Sequence, residues 1–269
     1  LALTTSPPAM TWREVAHGVE YATVSIAPRP RHGDGLLHIV RVDPALARVK
    51  VLAVSQQGGA NRTARQWRDQ HDLVVAINAG MYQQDFVTHT GYLRLNRHIN
   101  SRAWVGKYRS LLLLDPRTRE HPVADVVDVA AASAADFEHY CTVVQNLRLI
   151  RAPGVNVWQN NTRAWSEAAL AQDDDGRLLL LFSRTPLVMR DFNRELLGLG
   201  LGIVRAMHLE GGPEASLSLR GGGVELDLSG SFETGFNEND GNQRQWPLPN
   251  VIGVAAGQGA LSPARRRDQ

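Results

Sequence analysis

WSEAALAQDDDGRLLLLFS, residues 165–183, reads as two apolar strands joined by a tight turn. Trp165 to Gln172 and Arg177 to Ser183 are the strands, and Asp173-Asp174-Asp175-Gly176 separates them. Asp and Gly suit a type I hairpin turn, because Asp bonds its own backbone and Gly accepts a positive φ. The Asp run superficially suggests calcium, but the roughly twelve-residue ligand spacing of an EF-hand is absent. No metal is expected there or elsewhere in the chain.

Similar short segments lie on both sides of this hairpin. Upstream, Glu20 to Ile26, Leu36 to Asp43, Val49 to Ser55 and Asp72 to Asn78 are apolar or alternating, followed by Gly91 to Leu95, Ser110 to Leu114 and Thr142 to Ile150. Downstream, Val204 to Leu209, Ala215 to Leu219, Val224 to Leu228 and Pro249 to Ala255 continue the series. Helices are expected at Thr63 to His71 with Thr63 as N-cap, at Ala134 to Tyr140, and from Arg190 to Leu199, where Phe192, Leu196 and Leu199 share a face. Roughly a dozen strands against about three short helices, without βαβ alternation, predict an α+β, β-rich single domain. Its sheets are expected to be mixed or antiparallel, with the helices packed on them. The expected boundaries are a flexible segment over residues 1–15, the domain over 16–258 and a disordered basic tail over 259–269. Phe236 to Gln245 is the most loop-like interior stretch.

Composition excludes several classes. Basic and acidic residues number 29 and 27 and are interspersed, so no nucleic-acid partner is expected. The densest basic run is Arg265-Arg266-Arg267, read as a solvated tail. A single Cys141 rules out an intramolecular disulfide and a Cys-cluster zinc site. No apolar run reaches the ~18 residues of a membrane span. Walker, dinucleotide-binding, HExxH and Gly-x-Ser-x-Gly patterns are missing. No cofactor is expected. The opening LALTTSPPAM fits the mature end of an exported chain whose signal peptide has been removed, so a periplasmic or secreted location is the expectation.

The segment with chemical promise is AMHLEGGPEASLSL, Ala206 to Leu219. An apolar strand ends on Glu210; Gly211, Gly212 and Pro213 follow; Glu214 opens the next strand. Carboxylates at a strand end beside two glycines let a ligand approach the backbone, and two of them can divide acid and base roles. A plain β-turn with exposed glutamates is the competing reading. Period-two alternation puts His208 on the face of Glu210. His89, Asn250 and Glu233 are further pocket candidates, and Trp158, Trp165 and Trp246 are either sugar platforms or core packing.

LEGGPEASLSL resembles the LDGGGSATF-type signature of the phosphodiester glycosidase (NAGPA-like, DUF2233) family. In the family's order, VVAINAGMY (74–82) is similar to its AINGGFF-type strand and turn, and Gly91-Tyr92-Leu93 to the segment after it. CTVVQNLRLI (141–150) resembles an AVQSGPLLV-type strand, GRLLLLFSRTP (176–186) with the Asp191 to Leu197 helix precedes the signature, and PNVIGVA closes the domain. The resemblance runs from about Leu73 to Ala255. It implies cleavage of sugars attached through a phosphodiester, as in uncovering mannose 6-phosphate, with Glu210 at the position of the signature Asp. It also implies that Gly211, Gly212, Asn78, Gly80 and Gln145 line the pocket.

Three departures bear on the chemistry: Glu210 for Asp, Pro213 for Gly and Glu214 for Ser. A second negative charge at Glu214 repels a phosphodiester, and Arg184 and Arg190 are the candidate compensating cations, with surface ion pairing as the plain alternative. The leading expectation is an exported hydrolase of a glycosyl phosphodiester or related glycoside, using Glu210 with Glu214 or His208 on a small-molecule or glycan substrate. The alternatives are a non-catalytic glycan- or envelope-binding module of the same fold, and a metal-dependent phosphoesterase gathering a cation on His208, Glu210 and Glu214.

Overall fold

The 165–183 hairpin forms the middle of the largest sheet in a computed structural model that describes residues 10–27, 29–131, 137–159 and 161–257. That sheet has eight strands in the order β1 (Arg13–Ala16), β2 (Val19–Ser25), β3 (Leu36–Val42), β14 (Leu178–Val188), β13 (Ala164–Asp173), β15 (Ile203–Gly211), β11 (Arg148–Ala152) and β12 (Val155–Asn156). A five-stranded sheet follows the order β7 (His98–Ser101), β6 (Leu93–Leu95), β10 (Tyr140–Asn146), β8 (Ser110–Pro116), β9 (Ala124–Asp128). A second five-stranded sheet runs β17 (Val224–Ser229), β16 (Ser216–Gly221), β5 (Val75–Asn78), β18 (Asn250–Ala255), β4 (Arg48–Ala53). Every strand pair among the described residues is antiparallel. The architecture is the expected β-rich α+β domain.

The hairpin turn explains its acidic run. Asp173 Oδ1 accepts the backbone N–H groups of Asp175 and Arg177, at 3.1 and 2.8 Å, and Gly176 takes a φ of 80°. The apolar run after it has no polar face because both faces are covered. Leu178, Leu180 and Phe182 enter a core shared with residues of both five-stranded sheets, including Leu112, Val144, Ile77 and Leu217. Leu179 and Leu181 point the other way, under helix α3 (Met189–Gly198), which lays Met189, Phe192 and Leu196 on the sheet. Helix α1 (Val54–Gln57) is a single turn following β4. Helix α2 (Ala64–Gln70) has the expected Thr63 N-cap, completed as a capping box by Gln66, and packs Trp67 against β18 and β5.

Two details differ from the sequence expectation. The single strand expected over Thr142 to Ile150 is two strands: β10 and β11 belong to different sheets, and the chain changes sheet at Leu147. A continuous apolar run marks burial but carries no sign of where the chain turns a corner between layers. Four strands without a clear sequence signal, β1, β7, β9 and β12, are all sheet edges, where only one side is hydrogen-bonded and the pattern is short. The helix expected over Ala134 to Tyr140 falls partly on residues 132–136, outside the described ones, and Tyr140 opens β10. Of the flexible segment expected over 1–15, residues 1–9 lie outside the described ones and Arg13 to Val15 lie in strand β1; the tail expected over 259–269 also lies outside them. No helix among the described residues is long and apolar enough to cross a membrane.

Candidate active site

Strand β15 delivers the central carboxylate. Its register against β13 slips near its end: Ala169 pairs with His208 but Ala168 pairs with Glu210, so Leu209 is an extra, bulged residue. Bulges re-aim side chains at the ends of strands. Met207 and Leu209 enter the inner core, and Ala206 lies in the cluster on the opposite face.

Behind Glu210 lies a buried ion pair. His208 Nδ1 is 2.7 Å from Glu167 Oε1, and the indole Nε1 of Trp165 donates to Glu167 Oε2 at 2.5 Å. Burial pushes Glu167 up, against the pull of His208 and of the two hydrogen bonds. Burial would lower His208, but the charge and hydrogen bond of Glu167 outweigh it, helped by Glu210 and Glu233, and its net shift is upward. Both oxygens of Glu167 accept hydrogen bonds, which favours a carboxylate facing a protonated imidazole.

Glu210 itself is pushed up to about 8, first by burial and then by the charges of Glu214 and Glu233, with His208 and the Gly211 N–H pulling the other way. Glu214 is pushed up to about 7 by burial and by Glu233. Gly212 separates these groups. Its φ is 66°, and a Cβ there would stand 2.7 Å from Glu233 Oε2 and 3.4 Å from Glu214 Oε2. Glycine is therefore needed both for the backbone and for the space. Gly211 is covered by the Trp165 indole, whose Cδ1 would lie 2.6 Å from an added Cβ. The Glu233 carboxylate is held by Arg163 at 3.0 Å. Tyr82 and Tyr108 complete the surroundings: burial raises both phenols, and the Glu210 charge raises them further.

The chain matches the phosphodiester glycosidase (NAGPA) family model over residues 71–255. It belongs to the phosphodiester glycosidase family. No curated protein matches it in sequence. By fold it is similar to a hypothetical protein from Synechocystis (TM-score 0.64, 15% identity), covering 92% of this chain but only 64% of the other. It is also similar to the zebrafish N-acetylglucosamine-1-phosphodiester alpha-N-acetylglucosaminidase (NAGPA) catalytic domain auto-inhibited by its pro-peptide (TM-score 0.60, 13% identity), over 92% of this chain and 88% of that one. A Burkholderia pseudomallei protein, provisionally named an exported protein, matches 82% of this chain and 74% of its own (TM-score 0.51, 11% identity).

The family-derived residues divide by what they touch. Asn78 on β5 donates to the Glu214 carbonyl at 3.0 Å and accepts from the Ser216 N–H at 2.7 Å, so it clamps the turn that carries Glu214. Gly80 has a φ of 149° and leaves room for Asn146 Oδ1 and the His89 ring, 2.3 and 2.4 Å from a notional Cβ. Gln145 is buried, and both ends of its amide bond the backbone of Tyr92, Val105 and Tyr108. Arg184 donates to the carbonyls of Ser229, Asp240 and Asn242 and pairs with Asp240, holding the 229–242 loop in which Glu233 lies. Arg190 is exposed and paired with Asp191 at the start of α3. His89 is buried, with Nε2 on the Gln145 carbonyl at 2.9 Å, and burial lowers it to about 4.

Sequence reasoning missed Glu167, Tyr82, Tyr108 and Arg163. Glu167 had a legible signal, a lone carboxylate in an otherwise apolar strand, and Tyr82 ends the VVAINAGMY segment. Tyr108 and Arg163 stand in loops with no pattern. Among the described residues, the one group of three acidic or histidine side chains close enough to share a cation is Asp173, Asp174 and Asp175. His208, Glu210 and Glu214 do not form such a group. The Asp173 carboxylate is already taken by the hairpin turn and Arg177.

Proposed function

We propose that the chain is a glycosidase-like hydrolase of a glycosyl phosphodiester or related glycoside, with Glu210 as principal catalytic carboxylate. The observation that supports this reading is a half-buried Glu210 at the strand end beside the buried His208–Glu167 pair, where desolvation and then the charges of Glu214 and Glu233 push it up to about 8. At neutral pH Glu210 then holds a proton to give to the leaving-group oxygen, the task of a general acid. Glu214, pushed up to about 7, supplies the second carboxylate. His208 is held by Glu167 and acts as a positioning charge that keeps Glu210 from rising further.

Glu210 must be protonated, so activity falls as pH rises through about 8; Glu214 must be ionised, so activity falls as pH drops through about 7. A narrow bell in kcat/KM is expected between those limbs. The test is turnover of N-acetylglucosamine-1-phosphodiesters and aryl glycosides by wild type and Glu210→Gln across pH. The substitution is expected to lower kcat by about 10²–10⁴, the usual worth of a general acid. A Glu210→Gln protein as active as wild type would overturn the assignment.

Pro213 and Glu214, standing where the family signature has Gly and Ser, favour one alternative: a glycan-binding module of the same fold without turnover. Saturable glycan binding with no hydrolysis of either substrate class is its mark. We further propose a periplasmic or secreted location, supported by the fold neighbour provisionally named as exported.

A further inference from the structure

Next to the carboxylates lies a cleft of opposite charge. Lys107, Arg109 and Arg148 line it, together with Leu147 and Trp158. Lys107 and Arg109 are exposed and make no ion pair with a described residue; the Lys107 ammonium stands over the Tyr108 ring, 5.9 Å from its centroid. Arg148 is paired through Nη1 with the buried Asp128, and its buried Nε–H has no partner. In a chain whose charges are otherwise interspersed, two unpaired cations beside a third in one concavity are a site for an anion.

The cleft shares walls with the site of Glu210. Tyr108, between its two free cations, feels the Glu210 charge. The Leu147 carbonyl accepts the His208 N–H at 2.9 Å. Trp158 meets Trp165 edge-on at 6.1 Å, and Trp165 meets His208 at 5.9 Å.

We propose that this cleft is an anion subsite, which binds a phosphate or carboxylate carried by the substrate away from the bond being cut. A phosphate at the scissile linkage itself would lie among Glu210, Glu214 and Glu233. The cleft takes a second, more distant anion, so the substrate is an anionic glycan or glycoconjugate with an uncharged sugar at the carboxylates. The orientation of that substrate rests on the proposed hydrolase reading, whereas anion binding does not.

The test is calorimetric titration of the whole chain with inorganic phosphate, glucuronate and, as a neutral control, methyl glucoside. Wild type, the double variant Lys107→Ala/Arg109→Ala, Glu210→Gln, and Arg97→Ala as a distant cation control are compared. Both cleft positions are exposed, so the double variant is expected to fold, and its thermal unfolding checks this. Saturable binding of phosphate or glucuronate is expected in wild type, Glu210→Gln and Arg97→Ala, and about tenfold or more weaker binding in the double variant, a change of at least one decade in Kd. Tighter phosphate binding identifies a phosphorylated glycan, and tighter glucuronate binding a uronate-bearing one. Equal affinity in wild type and the double variant, or no binding of either anion, overturns the proposal. No turnover of glycosyl phosphodiesters or aryl glycosides by wild type, alongside lost anion binding in the double variant, would remove the hydrolase reading and leave the subsite standing.

Discussion

Gly212 sets the spacing of the acidic side chains with a single missing carbon. A Cβ at φ 66° and 2.7 Å from Glu233 Oε2 would push that carboxylate away and strain the backbone by about 1–2 kcal/mol. Gly212→Ala is therefore expected to lower kcat/KM and reduce the melting temperature by a few degrees, as steady-state kinetics and calorimetry would show. Glu210 has the opposite effect on stability. Its folded pKa, about 8, lies above the ordinary carboxylate value, so its contribution is fully present below about pH 4.5 and is lost as pH rises through about 8. Glu210→Gln is expected to melt higher than wild type at pH 9 and close to it at pH 5. Equal melting temperatures at pH 9 would show that burial costs Glu210 nothing. At this scale the sequence was a partial guide. Glu210, Glu214, His208 and Glu233 were legible from one strand end and one loop. The role of Asn78 and Gln145 as backbone clamps was not, because a side-chain amide reads the same whether it faces a ligand or a neighbouring strand.

Among the elements, α3 has the clearest division of labour. It covers the outer face of the largest sheet with Met189, Phe192 and Leu196, all buried. Phe192→Ala is expected to cost about 3–5 kcal/mol of unfolding free energy, measured by denaturant titration, because the ring has no room to be replaced by collapse. The helix was readable from the spacing of Phe192, Leu196 and Leu199, and α2 from its Thr63 cap. The edge strands were not readable, since β1, β7, β9 and β12 are short and half-paired. The break between β10 and β11 was also hidden. Its cause is tertiary: the corner at Leu147 exists because β8 and β15 belong to different layers and each needs a partner.

Across the whole molecule, residues of three antiparallel sheets share an inner core, and each sheet carries one of the candidate residues. Glu210 comes from the eight-stranded sheet, Asn78 from one five-stranded sheet and Gln145 from the other. The fold class was legible because turn signals and short apolar runs recur along the chain without intervening long helices. The arrangement of three sheets was not, because alternation reveals which residues are inside but not which sheet they face. The four hydrogen bonds of the Gln145 amide, two accepted from the Tyr92 and Val105 N–H groups and two donated to the Val105 and Tyr108 carbonyls, have a consequence in time as well as in space. The Val105 N–H lies in irregular backbone, yet it is tied to a buried side chain of a central strand. Its deuterium uptake is expected to be as slow as that of the core strands, and Gln145→Leu to make it exchange within minutes. The loop beneath Lys107 and Tyr108 would then be a wall already set when a ligand arrives, not a flap that closes over it.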